Sequence, residues 1–177
     1  MLRKIIAVDS AYAYNAASRA GFHQFPIEAF RDLVSGDEGV DVVETLVTIV
    51  KRVPEDDSAA SVATVASQVD RIQYALEMKG CRVIICPAKP DSQGGFKQSD
   101  DQRLMITTLS TCLKLRPDFL VLVAADGDYA PMVWELRYEG IRTEVVATQN
   151  ALAAELKRAS YSVVDLENTF QTIRAGE

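Results

Sequence analysis

A chain of 177 residues has room for one domain, residues 1–177, and would bury about 70% of its unfolded surface around a single core. With 48% hydrophobic and 25% charged residues it is globular rather than disordered, no apolar run approaches the ~18 residues of a membrane-spanning helix, and the N-terminal run stops at Asp9, short of a signal-peptide core, so a cytoplasmic protein with no membrane partner is expected. A net charge of −6 argues against a broad basic grip on nucleic acid, and three cysteines (Cys81, Cys86, Cys112) with one histidine (His23) are too few for a disulfide framework, a zinc site or most histidine-based catalysis.

The elements alternate along the chain. Residues 3–8 form a short run rich in Ile and Val, fit for a buried strand that ends at Asp9. Helices are expected over 11–19 and 26–33, the second opened by Pro26. Residues 40–53 are dense in β-branched side chains and read as a long second strand. After the break at 54–58, Val62, Val65, Val69, Ile72 and Leu76 recur every three or four residues, which predicts a helix with one buried stripe, closed at Gly80. Residues 81–86 make the third strand, and 87–98, with two prolines and the Gly94-Gly95 pair, read as a mobile loop. Ser99 and Gln102 stand in capping-box relation before a helix over 100–115. A fourth strand (119–125), a helix ended by Gly140 (129–139) and a fifth strand (143–147) follow. Asn150 is placed to cap a helix over 151–158, residues 162–164 suit a short extra edge strand, and a last helical turn or two comes after Asp165.

Strands separated by helices imply βαβ units, hence an α/β fold with a mostly parallel sheet and helices on both faces. Ligands then bind beyond the carboxyl ends of the strands. Asp9 closes the first strand and Asp126 follows the fourth. If those strands are neighbours, both carboxylates emerge on one rim, with Asp128 two residues on across a flexible Gly127. Asp100 and Asp101 open a helix that reaches the same rim. Such oxygen ligands, with no His or thiolate among them, suit a hard cation, Mg²⁺ or Mn²⁺. Each acid also has a structural reading: Asp128 as a helix N-cap, Asp100 and Asp101 as macrodipole partners. Asp9 and Asp126 resist that reading more, because a carboxylate directly after a buried strand loses hydration and needs a partner or an ion.

These segments resemble the NYN domain proteins, including the LabA-like branch, within the PIN-like nuclease superfamily. The resemblance spans nearly the whole chain. It rests on Ile5-Ile6-Ala7-Val8-Asp9, on Lys97-Gln98-Ser99-Asp100-Asp101-Gln102-Arg103-Leu104 as the K-x-x-x-D-x-x-L helix start, and above all on Leu122-Val123-Ala124-Ala125-Asp126-Gly127-Asp128-Tyr129-Ala130-Pro131-Met132-Val133. It implies a three-layer α/β/α domain with a five-stranded sheet in the order 3-2-1-4-5, metal-dependent cleavage of RNA, and Asp9, Asp101, Asp126 and Asp128 as catalytic metal ligands. The chain departs from the family pattern at three places. Tyr12 stands where an Asn is usual, with Asn15 three residues on. Thr107 stands where a second acid often follows the loop Asp, and Ala125 replaces a Ser or Thr.

Read as an enzyme, the chain would hydrolyse phosphodiesters of single-stranded RNA with an Asp-bound ion. Lys97 is a candidate phosphate contact, with Lys89 more simply a solvated surface lysine. Tyr12 is a candidate for stacking on unpaired bases and Asn15 a candidate substrate contact, whereas Tyr14 is expected in the core. The rival reading is a module of the same fold that binds RNA or protein without turnover. A haloacid-dehalogenase-type phosphatase would need an Asp where Ala11 stands, and a Toprim domain a Glu at the first strand, so both fit less well. Self-association into a homo-oligomer is left open by the sequence.

Overall fold

The first strand, β1 (Leu2–Val8), sits inside the sheet because its second half, Ile5 to Val8, is wholly apolar and both its faces can be covered. The computed structural model describes residues 1–36, 39–54, 58–90, 96–97 and 100–176, and for 89, 90, 96 and 97 the backbone only. In chain order β1 is followed by α1 (Ser10–Arg19), α2 (Ile27–Ser35), β2 (Val40–Lys51), α3 (Ala59–Met78) and β3 (Arg82–Pro87). Two short strands, β4 (Lys89–Pro90) and β5 (Phe96–Lys97), precede α4 (Asp100–Leu115) and β6 (Phe119–Val123). A 3-10 turn (Gly127–Tyr129) leads into α5 (Ala130–Tyr138), then β7 (Arg142–Ala147), α6 (Ala154–Ala159), β8 (Ser162–Asp165) and α7 (Leu166–Gly176).

The main sheet is six-stranded, in the order β3-β2-β1-β6-β7-β8, with every pairing parallel. The expected five strands and their order are present, and the short edge strand adds a full sixth member, paired from Glu144↔Ser162 to Ala147↔Asp165. The period-2 alternation of the strands divides the core in two. Ile5, Ala7, Leu120, Leu122 and Val145 face Leu104 and Cys112 of α4, Met132, Val133 and Leu136 of α5, and Leu156 of α6. Ile6, Val8, Val121, Val123 and Val146 face Ala13 and Ala17 of α1, Phe30 of α2, and Leu166 and Phe170 of α7. All three cysteines are free and buried.

Three expectations need correction. The stripe on α3 is only partly covered: Val69 is buried and Val65 and Leu76 are half-buried, but Val62 and Ile72 are 48% and 47% exposed. Helix α3 runs beside β2 and β3, and β3 is the sheet's edge, so the helix has little apolar surface to lie on. Asn150 does not cap α6. That helix starts at Ala154 with Ala153 as its N-cap and no side-chain cap, because residues 148–153 are held as a turn, with the Ala153 N–H bonded to the Ala125 carbonyl at 2.9 Å. Tyr14 is 56% exposed rather than in the core. Of the segment expected as a loop, the pairs Lys89↔Lys97 and Pro90↔Phe96 form a small antiparallel ladder, and residues 91–95 and 98–99, including Ser99, lie outside the described residues.

Candidate metal centre

The adjacency of β1 and β6 brings the acids together. Val8 pairs with Val123, and the Asp9 N–H extends the ladder by one bond to the Val123 carbonyl, 3.0 Å. Asp9 therefore leaves the sheet at the same rim as the turn carrying Asp126 and Asp128. Its carboxylate accepts from the Tyr12 N–H at 3.1 Å and so caps α1. Helix α4 follows β3, whose direction is parallel to β1 through β2, and its first turn delivers Asp100 and Asp101 to that rim. Carboxylate oxygens of Asp9, Asp100 and Asp101 lie within 4.8 Å of one another, and Asp9 and Asp100 are both buried.

The electrostatics follow from burial and crowding. Asp9 is pushed up to about 6, chiefly by desolvation, with the charges of Asp101 and Asp100 adding and the bond from Tyr12 opposing. Asp101 is also raised, first by burial and then by Asp100, Asp126 and Asp128, while a 3.0 Å bond from the Tyr129 hydroxyl to Oδ1 works the other way. Among the described residues no Lys or Arg is ion-paired with any of these carboxylates. Cys86, buried nearby, is held at about 11 by desolvation and Asp100, so its sulfur stays a thiol. Three oxygen donors without a soft or nitrogen partner fit a hard divalent cation, which would also neutralise the crowded charge.

The other expected site residues fall around this cluster. Asp126 and Asp128 are exposed; the Asp126 carboxylate accepts the Asp128 N–H at 3.1 Å and caps the 3-10 turn, the structural role expected of Asp128. Both are near enough to raise Asp101 but stand outside the three-acid cluster. Asp9, Tyr12, Ala125, Asp126, Ala151 and Ala153 line an open cleft of about 430 Å³ over the rim. The Tyr12 hydroxyl accepts from the Thr148 N–H (2.8 Å) and donates to Thr148 Oγ1 (3.4 Å), tying α1 to the loop after β7. Asn15 is exposed on α1 and does not line the cleft. Lys97 lies in β5 opposite Lys89. Sequence reasoning left Asp100 out of the ligand set and gave Tyr129 no role. A pair of acids at a helix start does not tell which turns inward, and a lone buried Tyr reads as core.

The fold agrees with what the chain is similar to. Its sequence matches the NYN domain family over residues 5–167. The chain belongs to that family. A crystal structure of a protein of unknown function from Vibrio parahaemolyticus is similar in fold to this NYN domain, with a TM-score of 0.72 at 16% identity, covering 96% of this chain and 95% of that one. No curated protein matches the chain in sequence. Among the described residues no helix is long and apolar enough to cross a membrane.

Proposed function

We propose that this NYN domain is a Mg²⁺- or Mn²⁺-dependent ribonuclease acting on single-stranded RNA. The observation that carries the reading is the convergence of Asp9, Asp100 and Asp101 within 4.8 Å at the carboxyl rim of a parallel sheet. Asp9, Asp100 and Asp101 would hold the ion, and Asp126 and Asp128 would complete its ligand set or hold a second one. When bound, the ion supplies Lewis acidity and lowers the pKa of a hydrolytic water. The protein's own residues then orient the parts. Asp9 is fixed by the α1 cap, Asp101 by Tyr129, and Tyr12 and Asp126 face the cleft through which a strand would reach the cluster. Lys97, in β5, is part of the same proposal as a phosphate contact. Membership of the LabA-like branch is part of the same proposal and rests on the three segments around Asp9, Asp101 and Asp126 taken in that order.

The test is degradation of single-stranded RNA by the purified protein in Mn²⁺, its arrest by EDTA, and its absence in an Asp9→Asn variant. Equal degradation by that variant would trace the activity to a contaminant. Saturable RNA binding in Mn²⁺ with no turnover would replace the enzyme by a binding module.

A further inference from the structure

Beside the acid cleft lies a second open groove, of about 550 Å³, lined by Gly127, Ala130, Pro131, Trp134, Glu155 and Arg158. The two cavities are neighbours along the chain, Asp126 lining the cleft and Gly127 the groove. A Cβ built at Gly127 would stand 3.4 Å from both the Ala153 methyl, which lines the cleft, and Glu155 Oε2, which lines the groove. Gly127 is also the residue between Asp126 and Asp128, so the groove adjoins the turn that carries two of the acids. An aromatic side chain lines the groove. Trp134, the chain's one tryptophan, is 38% exposed, and the Arg137 guanidinium lies 5.3 Å from its ring centroid. Among the described residues neither Glu155 nor Arg158 is ion-paired, and both are exposed.

We infer that this groove is a nucleobase subsite, in which a base of single-stranded RNA flanking the nucleotide at the acid rim stacks on Trp134. The inference rests on the RNA reading above and names how the substrate is held. An aromatic face accepts any base, which gives sequence-tolerant grip without a basic surface, and this chain has a net charge of −6. Each polar group has a matching partner. Glu155 accepts from an exocyclic amine of the base, which a phosphate could not satisfy. Arg158, in the groove lining, supplies cationic charge for the adjoining phosphate.

The single tryptophan makes the test direct. An eight-nucleotide adenosine RNA is titrated into the protein in Ca²⁺, following Trp134 emission and, separately, the anisotropy of a dye on the RNA. Cleavage in Mn²⁺ is measured in parallel. The expected result is saturable quenching with the same midpoint as the anisotropy, and a KM about tenfold higher for Trp134→Ala, with kcat within about twofold. Arg158→Glu, on the exposed face of α6, should weaken binding in the same direction and stands independent of any folding defect at residue 134. Trp134→Phe should restore part of the loss. Normal cleavage with both Trp134→Ala and Arg158→Glu within twofold of the parent KM overturns the subsite and leaves the nuclease intact. Quenching without cleavage under any metal keeps the subsite and removes the catalysis, whereas RNA that neither binds nor is cut removes both.

Discussion

The hydroxyl of Tyr129 donates a 3.0 Å hydrogen bond to Oδ1 of Asp101, from a side chain with no exposed surface. Burial and the charges of Asp9 and Asp101 raise the phenol far above its ordinary pKa, so it is always the donor. Asp101 thereby has a fixed orientation in a crowd of like charges. Tyr129→Phe keeps the ring and removes the bond. Stability should fall by about 1 to 3 kcal/mol in urea unfolding, because a hydrogen bond to a charged group is lost. Mn²⁺ affinity by calorimetry should fall about tenfold or more, as when an outer-shell partner of a metal ligand is removed. Unchanged Mn²⁺ affinity would mean that Asp101 is not a ligand.

Asp9 couples folding to pH in the opposite sense from an ordinary paired carboxylate. Its folded pKa of about 6 lies above the usual 3.8, so the native state binds the extra proton between those values. Metal-free stability is therefore greatest below about pH 4, declines as pH rises towards 6, and carries the full cost above it. Two pKa units correspond to a cost on the order of 2 to 3 kcal/mol at pH 7.5. In EDTA, Asp9→Asn should raise the Tm at pH 7.5 and flatten its fall between pH 4 and 6, since the amide oxygen can still accept from the Tyr12 N–H. With Mn²⁺ the order reverses: the parent gains Tm, the variant does not, and the parent's gain shrinks as pH drops through 6 and protons compete for the carboxylate. A variant that still gains Tm from Mn²⁺ would remove Asp9 from the ligand set.

The order that sets β1 beside β6 came from the family resemblance, since strand adjacency is a long-range property, whereas the strands and the acids at their ends could be read from sequence because they are local features, apolar runs too short for helices with acids directly after them. Asp9 was legible for that reason. Asp100 was not, because the choice between adjacent residues at a helix start turns on about 100° of rotation, which is set by how Leu104 and Cys112 seat α4 on the sheet. Helix α3 shows the converse failure. Its apolar spacing is regular, but a stripe is buried only if the sheet extends beneath it, and β3 is the last strand. Residues 148–153 hide a tertiary constraint, the tie from Thr148 to Tyr12 and from Ala153 to Ala125, that delays α6 by three residues past the expected start.

Asp100 and Asp126 should separate by experiment. Asp100 is 4% exposed within the three-acid cluster, whereas Asp126 faces the cleft and caps the 3-10 turn. Asp100→Asn should weaken Mn²⁺ binding about tenfold or more. Asp126→Asn should cost less metal affinity but abolish turnover, since Asp126 stands on the side from which substrate approaches. Calorimetry with Mn²⁺ on both variants, alongside RNA cleavage, decides it. A larger loss of affinity in the Asp126 variant would move the ion outward, towards Asp126 and Asp128.

Helix α4 carries both the acids and a polar defect. Thr108 has no exposed surface, and its hydroxyl finds no hydrogen-bond partner among the described residues. A buried donor left unmade costs about 1 to 3 kcal/mol, and Val has the same shape and nearly the same helix propensity. Thr108→Val should therefore stabilise the fold by about 1 kcal/mol, read from the urea midpoint at constant m-value. Thr108 lies two turns from Asp100, on the stretch of α4 that the core holds, so Mn²⁺ affinity and RNA cleavage should stay at the parent level. Destabilisation instead would show that the hydroxyl is satisfied by a backbone carbonyl of its own helix, and that the orientation of α4, and with it the two acids, depends on that bond.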